Sequence, residues 1–395
     1  MSEKIPKGWK WLKVEDFAEV VSGGTPSTDK PEFWNGDIAW ITPKDLSDFK
    51  FRYIRRGERN ISRKGLESSN AKLLPKGTVL LSSRAPVGYL AIAKNELSTN
   101  QGFQSLVPKE NVITEYLYYL LKDNIEYLKS QASGTTFGEL SKSTLKKLLF
   151  LLPPLPEQKA IAEVLSSIDD KIDLLHRQNK TLEEMAMTLF RKWFIEDVKE
   201  DWEEVKLGEY FDLLGGFPFK SKDYSDFGKY KIITIKNVQD GYLDISNSQT
   251  IENLPQNIKP YQILEIGDIL ISLTGNVGRI CIVDTNNCLL NQRVAKIVPK
   301  NSGWKPFAYF YFKRAEITQL LTNLAKGSAQ LNLSPIETLK LTDTFPSSER
   351  IEKFNKIVQP IFEKILTNKQ QIRRLEQLRD TLLPKLMSGE VRIMK

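Results

Sequence analysis

The stretch of this 395-residue chain richest in residues that could do chemistry runs from Lys50 to Lys64, where Lys50, Arg52, Arg55, Arg56, Arg59, Arg63 and Lys64 crowd together with Phe51 and Tyr53 interleaved. Cationic groups neutralise phosphates and rings between them pack on sugar or base, so the mixture suits a nucleic-acid surface. One charge run alone is more often a solvated loop. The later part of the chain has a looser set, Lys220, Lys222, Lys229, Lys231 and Lys236. Covalent chemistry is harder to find. The single histidine, His176, sits beside a heptad seam, which favours a flanking role over general base or metal ligand. Cys281 and Cys288 lack CxxC spacing and read as a reduced core pair. Gly24 to Lys30 lacks the order of a phosphate loop, Asp226-Phe227-Gly228 has none of a kinase's companion motifs, and no nuclease carboxylate pair accompanies Glu204-x-Lys206. No catalytic residue, metal site or cofactor is expected.

Composition agrees with a recognition protein. Lys and Arg number 57 against 49 Asp and Glu, a net charge of +8, with 27% charged and 41% hydrophobic residues. A polyanion partner is therefore plausible. No apolar run reaches the roughly 20 residues of a membrane span and the first ten residues lack a signal peptide's apolar core, so a cytoplasmic protein without a membrane partner is expected.

The chain repeats itself. Trp9, Val14, Phe17 and Gly23-Gly24-x-Pro26 return as Trp202, Leu207, Tyr210 and Gly215-Gly216-x-Pro218; Thr42-Pro43-Lys44-Asp45 returns as Thr234-Ile235-Lys236-Asn237, Gly77 to Ser82 as Gly267 to Ser272, and Asn100-Gln101 as Asn291-Gln292. An offset held between 190 and 193 means a duplicated unit rather than a solenoid. Short β-branched or Leu-rich runs (Thr78–Leu81, Leu90–Ala93, Ile269–Leu273, Ile280–Val283) predict a small mixed sheet in each copy, followed by a helical segment (115–129, 307–324) and a polar glycine loop. The copies keep their apolar frame and diverge in their loops: Arg84 and Pro86 stand opposite Thr274 and Asn276, Tyr89 opposite Arg279, Thr136 opposite Ala329. Two modules reading different sequences would look like this. Candidate DNA contacts are Lys44, Arg52, Arg55, Arg56, Arg59, Lys220 and Lys236 for affinity, and Arg84, Thr135, Thr136, Asn276, Arg279 and Gln330 for base edges.

Each copy ends in a long helix. From Pro153, prolines stop the preceding element and suit a helix start. Steps of four and three from Ile161 give Leu165, Ile168, Ile172, Leu175, Asn179, Leu182, Ala186, Leu189 and Trp193, and the second seam runs Phe354, Val358, Ile361, Ile365, Asn368, Ile372, Leu375, Arg379, Leu382 and Leu386. Two heptad strands of about 40 residues, about 60 Å at the helical rise, imply a pair. Asn179 facing Asn368 in an antiparallel pairing, partners summing to 547, brings Trp193 to Phe354 and leaves only Arg379, opposite Ile168, without an account.

PPLPEQKAIAEVLSSIDDKIDLL from Pro153, LFRKWF from Leu189 and LRDTLLPKLMSGEV from Leu378 resemble the conserved regions of type I restriction-modification specificity subunits, and the likeness covers the chain. It implies an α/β protein with two target-recognition domains (1–152 and 199–345) separated by two spacer helices (153–198 and 346–395) that form an antiparallel coiled coil with a pseudo-twofold. It implies a non-catalytic subunit that reads a bipartite site on double-stranded DNA and docks two methyltransferase subunits, with restriction subunits joining them. A stand-alone DNA-binding scaffold is the alternative. The second helix begins with Phe345-Pro346-Ser347-Ser348-Glu349-Arg350 in place of PPLPEQ, which leaves its first turn open. Phe190 and Phe194 are either docking residues for a partner or core residues of the chain's own second copy, at equal weight.

Overall fold

The computed structural model describes residues 5–47, 49–132, 138–199, 202–326 and 332–393. It divides into two compact units, one made of residues 1–174 with 374–395, the other of 175–373. The first long helix, Leu155–Arg191, extended by a π-helical turn at Lys192–Glu196, and the second, Ser348–Met387, each contribute one segment to either unit.

In the first unit a five-stranded sheet has the order Ala18–Ser22, Gln104–Pro108, Val79–Ser83, Val87–Ala93, Tyr53–Ile54, and a three-stranded one the order Arg59–Ile61, Trp34–Ile41, Ser98–Thr99. The second unit repeats both orders, the first without its fifth strand. Phe211–Gly215, Val294–Pro299, Ile269–Ser272 and Ile280–Ile282 follow the first order, and Gln249–Ile251, Tyr230–Ile233 and Cys288–Leu290 the second, with Ile263–Leu264 added at the edge. Even strand direction is kept, since Trp34–Ile41 and Tyr230–Ile233 each have one antiparallel and one parallel neighbour. The expectation of one small sheet per copy is thus corrected to two larger sheets with two-stranded ribbons beside them. The reason is the period-2 alternation of the central strand. Val79 and Leu81 face one apolar cluster while Leu80 faces another, with Ala39, Ile41 and Leu97; Ile269 and Ile271 divide from Leu270 in the same way. Cys281 and Cys288 are buried and free in that second kind of cluster.

Helices close the other face. In the first unit the Thr114–Asp123 helix buries Tyr116, Leu117, Tyr119, Leu120 and Leu121. Its counterpart, Lys305–Phe312, is buried from Pro306 to Phe312, as an element apolar all round must be. Both long helices finish each core: Ile161, Leu165, Leu383 and Leu386 in the first unit, Phe190, Phe194, Phe354 and Val358 in the second.

The proline-rich start of the first helix has a polar task. Gln158, buried, accepts from the Ile113 amide at 3.0 Å and donates to the Pro153 and Asn111 carbonyls at 3.0 and 3.2 Å, pinning the helix beneath the Thr114–Asp123 element. The second helix lacks this glutamine yet begins at Ser348, and Asn355 substitutes one turn later by accepting from the Phe307 amide at 2.9 Å.

Within the second unit the two helices meet at buried amides, Asn368 Nδ2 donating to Asn179 Oδ1 at 2.8 Å and to Gln178 Oε1 at 2.9 Å. The Trp193 and Phe354 rings lie 6.2 Å apart, which sets the same antiparallel register. Within the first unit Arg379 acquires a partner, Asp169, at 2.9 Å. In a double-mutant cycle of denaturant melts, Asn179→Ala and Asn368→Ala should each cost roughly 1–3 kcal/mol and the pair clearly less than their sum; strict additivity would separate the two amides.

Candidate nucleic-acid interface

Four backbone turns are laced together in the same way in each unit. In the first, the Gly24 amide donates to the Thr99 carbonyl (2.9 Å), Asn100 to Ile41 (2.9 Å), Ser83 to Gly102 (2.7 Å) and Leu140 to Ser83 (2.9 Å). Trp40 Nε1 donates to the Gly24 carbonyl at 3.0 Å. A Cβ at Gly23 would lie 2.0 Å from the Asn100 carbonyl oxygen and one at Gly216 would lie 2.2 Å from the Asn291 carbonyl oxygen, so each turn has a close backbone approach that only glycine fits, whereas Gly215 has open space around it. In the second unit Phe217 donates to Leu290 (2.8 Å), Asn291 to Ile233 (3.1 Å), Leu273 to Arg293 (3.0 Å) and Leu333 to Leu273 (2.8 Å). The Thr-x-x-Asp or Asn match is a capping pair: Asp45 accepts from the Thr42 amide at 2.7 Å, and Asn237 from the Thr234 amide at 2.8 Å.

This lacing gathers the side chains of each rim. The first unit exposes Thr25, which donates to Gln101, together with Gln101 and Lys44, and half-exposes Arg84. Glu58, 3.0 Å from the Lys44 ammonium, pushes its pKa up, and Glu139 lies 3.7 Å from Arg84. In the second unit Lys236, Asn276, Gln292 and Arg293 are exposed and Arg279 is half-buried. Gln101, Gln292 and Arg293 were missed from sequence, although the repeated Asn-Gln pair was the signal. Thr135, Thr136 and Gln330 lie outside the described residues.

The basic run does not form one surface. Arg55 and Arg56 are exposed, as is Lys220, while Arg59 lays its guanidinium 3.6 Å from the Trp34 ring centre. Arg52 is corrected: only 5% exposed, it donates to Tyr119 Oη at 2.9 Å and to Asp170 at 2.7 Å, because the short Tyr53–Ile54 strand sets its neighbour inward against the first long helix. Phe190 and Phe194 are corrected as docking residues too. They are 0% and 7% exposed, and their rings pack on Phe307 and Phe354, 4.9 to 5.6 Å between centres, since large apolar groups at this junction find their own unit's core.

A family model described as the type I restriction modification DNA specificity domain matches twice, at residues 6–184 and 199–377. The chain belongs to that family. It is 37% identical to the type I restriction enzyme MjaIX specificity subunit of Methanocaldococcus jannaschii, over 99% of this chain and 95% of that one. It is 25% identical to the HindI specificity subunit of Haemophilus influenzae, over 97% and 99% of the two chains. The crystal structure of a type I restriction-modification S subunit from M. genitalium shares the fold at a TM-score of 0.59, with 21% identity over 98% of each chain.

In this specificity-family chain the Arg52 network is structural. Burial alone would push the Asp169 carboxyl up, but Lys122 and Arg379 with a hydrogen bond from Tyr119 hold it below the ordinary carboxylate range. A depressed folded pKa adds stability that is present above the unfolded value of about 4 and lost as pH falls through the folded one. Arg52→Ala, which empties a buried site and strips Tyr119 and Asp170 of that partner, should cost roughly 2–4 kcal/mol in thermal melts while leaving the salt slope of DNA binding unchanged. Asp169→Asn should flatten the loss of stability below about pH 4. A lowered salt slope for Arg52→Ala would return that residue to the DNA surface.

Proposed function

We propose that this chain is the DNA-recognition subunit of a type I restriction-modification complex, each unit reading one half of a bipartite duplex site. The observation that carries the reading is the pair of rims: one backbone lacing, two different sets of side chains, on a member of the specificity family. Duplex grooves show base edges about one turn apart, so two reading units on a common helical support suit a split site. Exposed Arg55, Arg56 and Lys220 supply phosphate contacts that hold any sequence, and the rims supply discrimination. Partner subunits supply the chemistry.

The docking of two methyltransferase subunits, which restriction subunits then join, has a physical counterpart on the helices. Met185 and Leu378 are 52% and 47% exposed and stand 193 residues apart, the offset of the repeat. Two equivalent apolar positions in water suit two equivalent partners.

Sequencing methylated genomic DNA from cells with and without the gene tests the function, and a bipartite motif that vanishes with the gene is the expected result. Binding titrations of the purified chain should show Arg55→Ala with Arg56→Ala weakening all duplexes alike, flattening the salt slope by about one unit per lost contact. Co-purification with a methyltransferase subunit should fall by about half for Met185→Asp and for Leu378→Asp, and further when both are changed. Unchanged stoichiometry in the double variant would remove these positions from the docking surface.

A further inference from the structure

On the rim of the second unit one cation is held by side-chain amides. Arg279 Nη1 donates to Gln239 Oε1, and the Asn276 amide, whose nitrogen would face only donors here and whose oxygen therefore belongs toward the guanidinium, then accepts from Nη1 and Nη2 at 3.2 and 3.1 Å. Gln239 is itself oriented by donating from Nε2 to the Lys236 carbonyl at 2.7 Å. Behind them, Ser272 Oγ accepts from the Arg279 amide at 3.0 Å and donates to the Asn276 carbonyl, and the hairpin turns on Gly275 and Gly278, both at positive φ. Head and base of this arginine are both fixed.

The first unit has the same hairpin frame, with Ser82 accepting from the Tyr89 amide at 2.8 Å and donating to the Pro86 carbonyl at 2.7 Å. There the head is different. Tyr89 packs inward on the apolar cluster, and the nearby Arg84 has a carboxylate at 3.7 Å. Among the described residues Arg279 is clamped by neutral acceptors alone, so the clamp orients it without cancelling its charge.

A guanidinium has five N–H donors. Three of those on Arg279 are engaged, both on Nη1 and one on Nη2, and among the described residues no acceptor is bonded to Nε. What remains is the Nε–H with the second Nη2 hydrogen, two parallel donors on one edge. Guanine presents O6 and N7, two acceptors side by side, in the major groove, and no other base does.

We propose that Arg279 is the guanine-reading residue of the second unit, with Gln239 and Asn276 as its positioning residues. This rests on the specificity-subunit reading above. A preorganised fork loses little freedom on binding, so it discriminates more sharply than a free arginine of equal charge.

The test sequences methylated motifs in cells carrying the wild-type gene, Arg279→Lys or Gln239→Ala. Each purified full-length chain, checked for an unchanged melt, is then bound to a duplex of the wild-type motif and to duplexes with each guanine changed in turn. Arg279→Lys keeps the charge and loses the fork, so discrimination at one guanine should fall about 10- to 100-fold while the other half of the motif is read as before. Gln239→Ala should lose part of the same discrimination at the same position. Arg279→Lys discriminating like the wild type at every guanine overturns the proposal, and so does an equal loss on all duplexes, which would make Arg279 a phosphate contact. Wild-type cells without a bipartite motif would remove the underlying reading instead, a result visible before any substitution is made.

Discussion

Everything in this chain depends on burying the seams of two long helices that lie far apart in sequence. Neither globe closes its core without them, since the first takes Ile161 and Leu165 from one helix and Leu383 and Leu386 from the other, and the second takes Phe190 and Phe194 with Phe354 and Val358. Apolar stripes alone would tolerate a slip along the helix axis. The polar exceptions do not: a buried amide opposite a leucine, or Arg379 away from Asp169, leaves a desolvated group unpaired, which costs more than the matched pair contributes. Register is thus set by a few polar contacts and strength by many apolar ones.

The rims show the complementary division of labour. Amides and carbonyls of the Gly-Gly turn, the Asn-Gln turn and the hairpin bind one another in both units, so the frame does not depend on which side chains it displays. Exchange of Arg84 for Thr274, or Tyr89 for Arg279, alters what is presented without altering the lacing. That independence lets one fold display two different sets of side chains.

Much of this was legible in the sequence. The repeat, the heptad seams and the polar breaks at Asn179 and Asn368 follow from periodicity, which is a local property, and the strands at Val79–Ser83 and Ile269–Ser272 follow from short apolar runs. Burial of a charge is not local. Arg52 reads as one more cation in a basic run because its partners, Tyr119 and Asp170, are 67 and 118 residues away. Phe190 and Phe194 likewise look stranded at a helix end until Phe307 and Phe354 come to meet them. The separation of each copy into two larger sheets, with two-stranded ribbons beside them, was hidden for a related reason, since a strand buried on both faces carries no alternating pattern. Gln239 gave no signal, as its value lies only in the arginine it orients.

The central claim is that each reading unit is completed by both helices, one from mid-chain and one from the C-terminal end. Hydrogen exchange on the full-length chain carrying Leu383→Ala measures this directly. Faster exchange should appear at 114–123 and 149–152, far away in sequence but in the same core, while 305–312 keeps its protection. Acceleration confined to the residues around 383, or appearing equally at 305–312, would contradict the account.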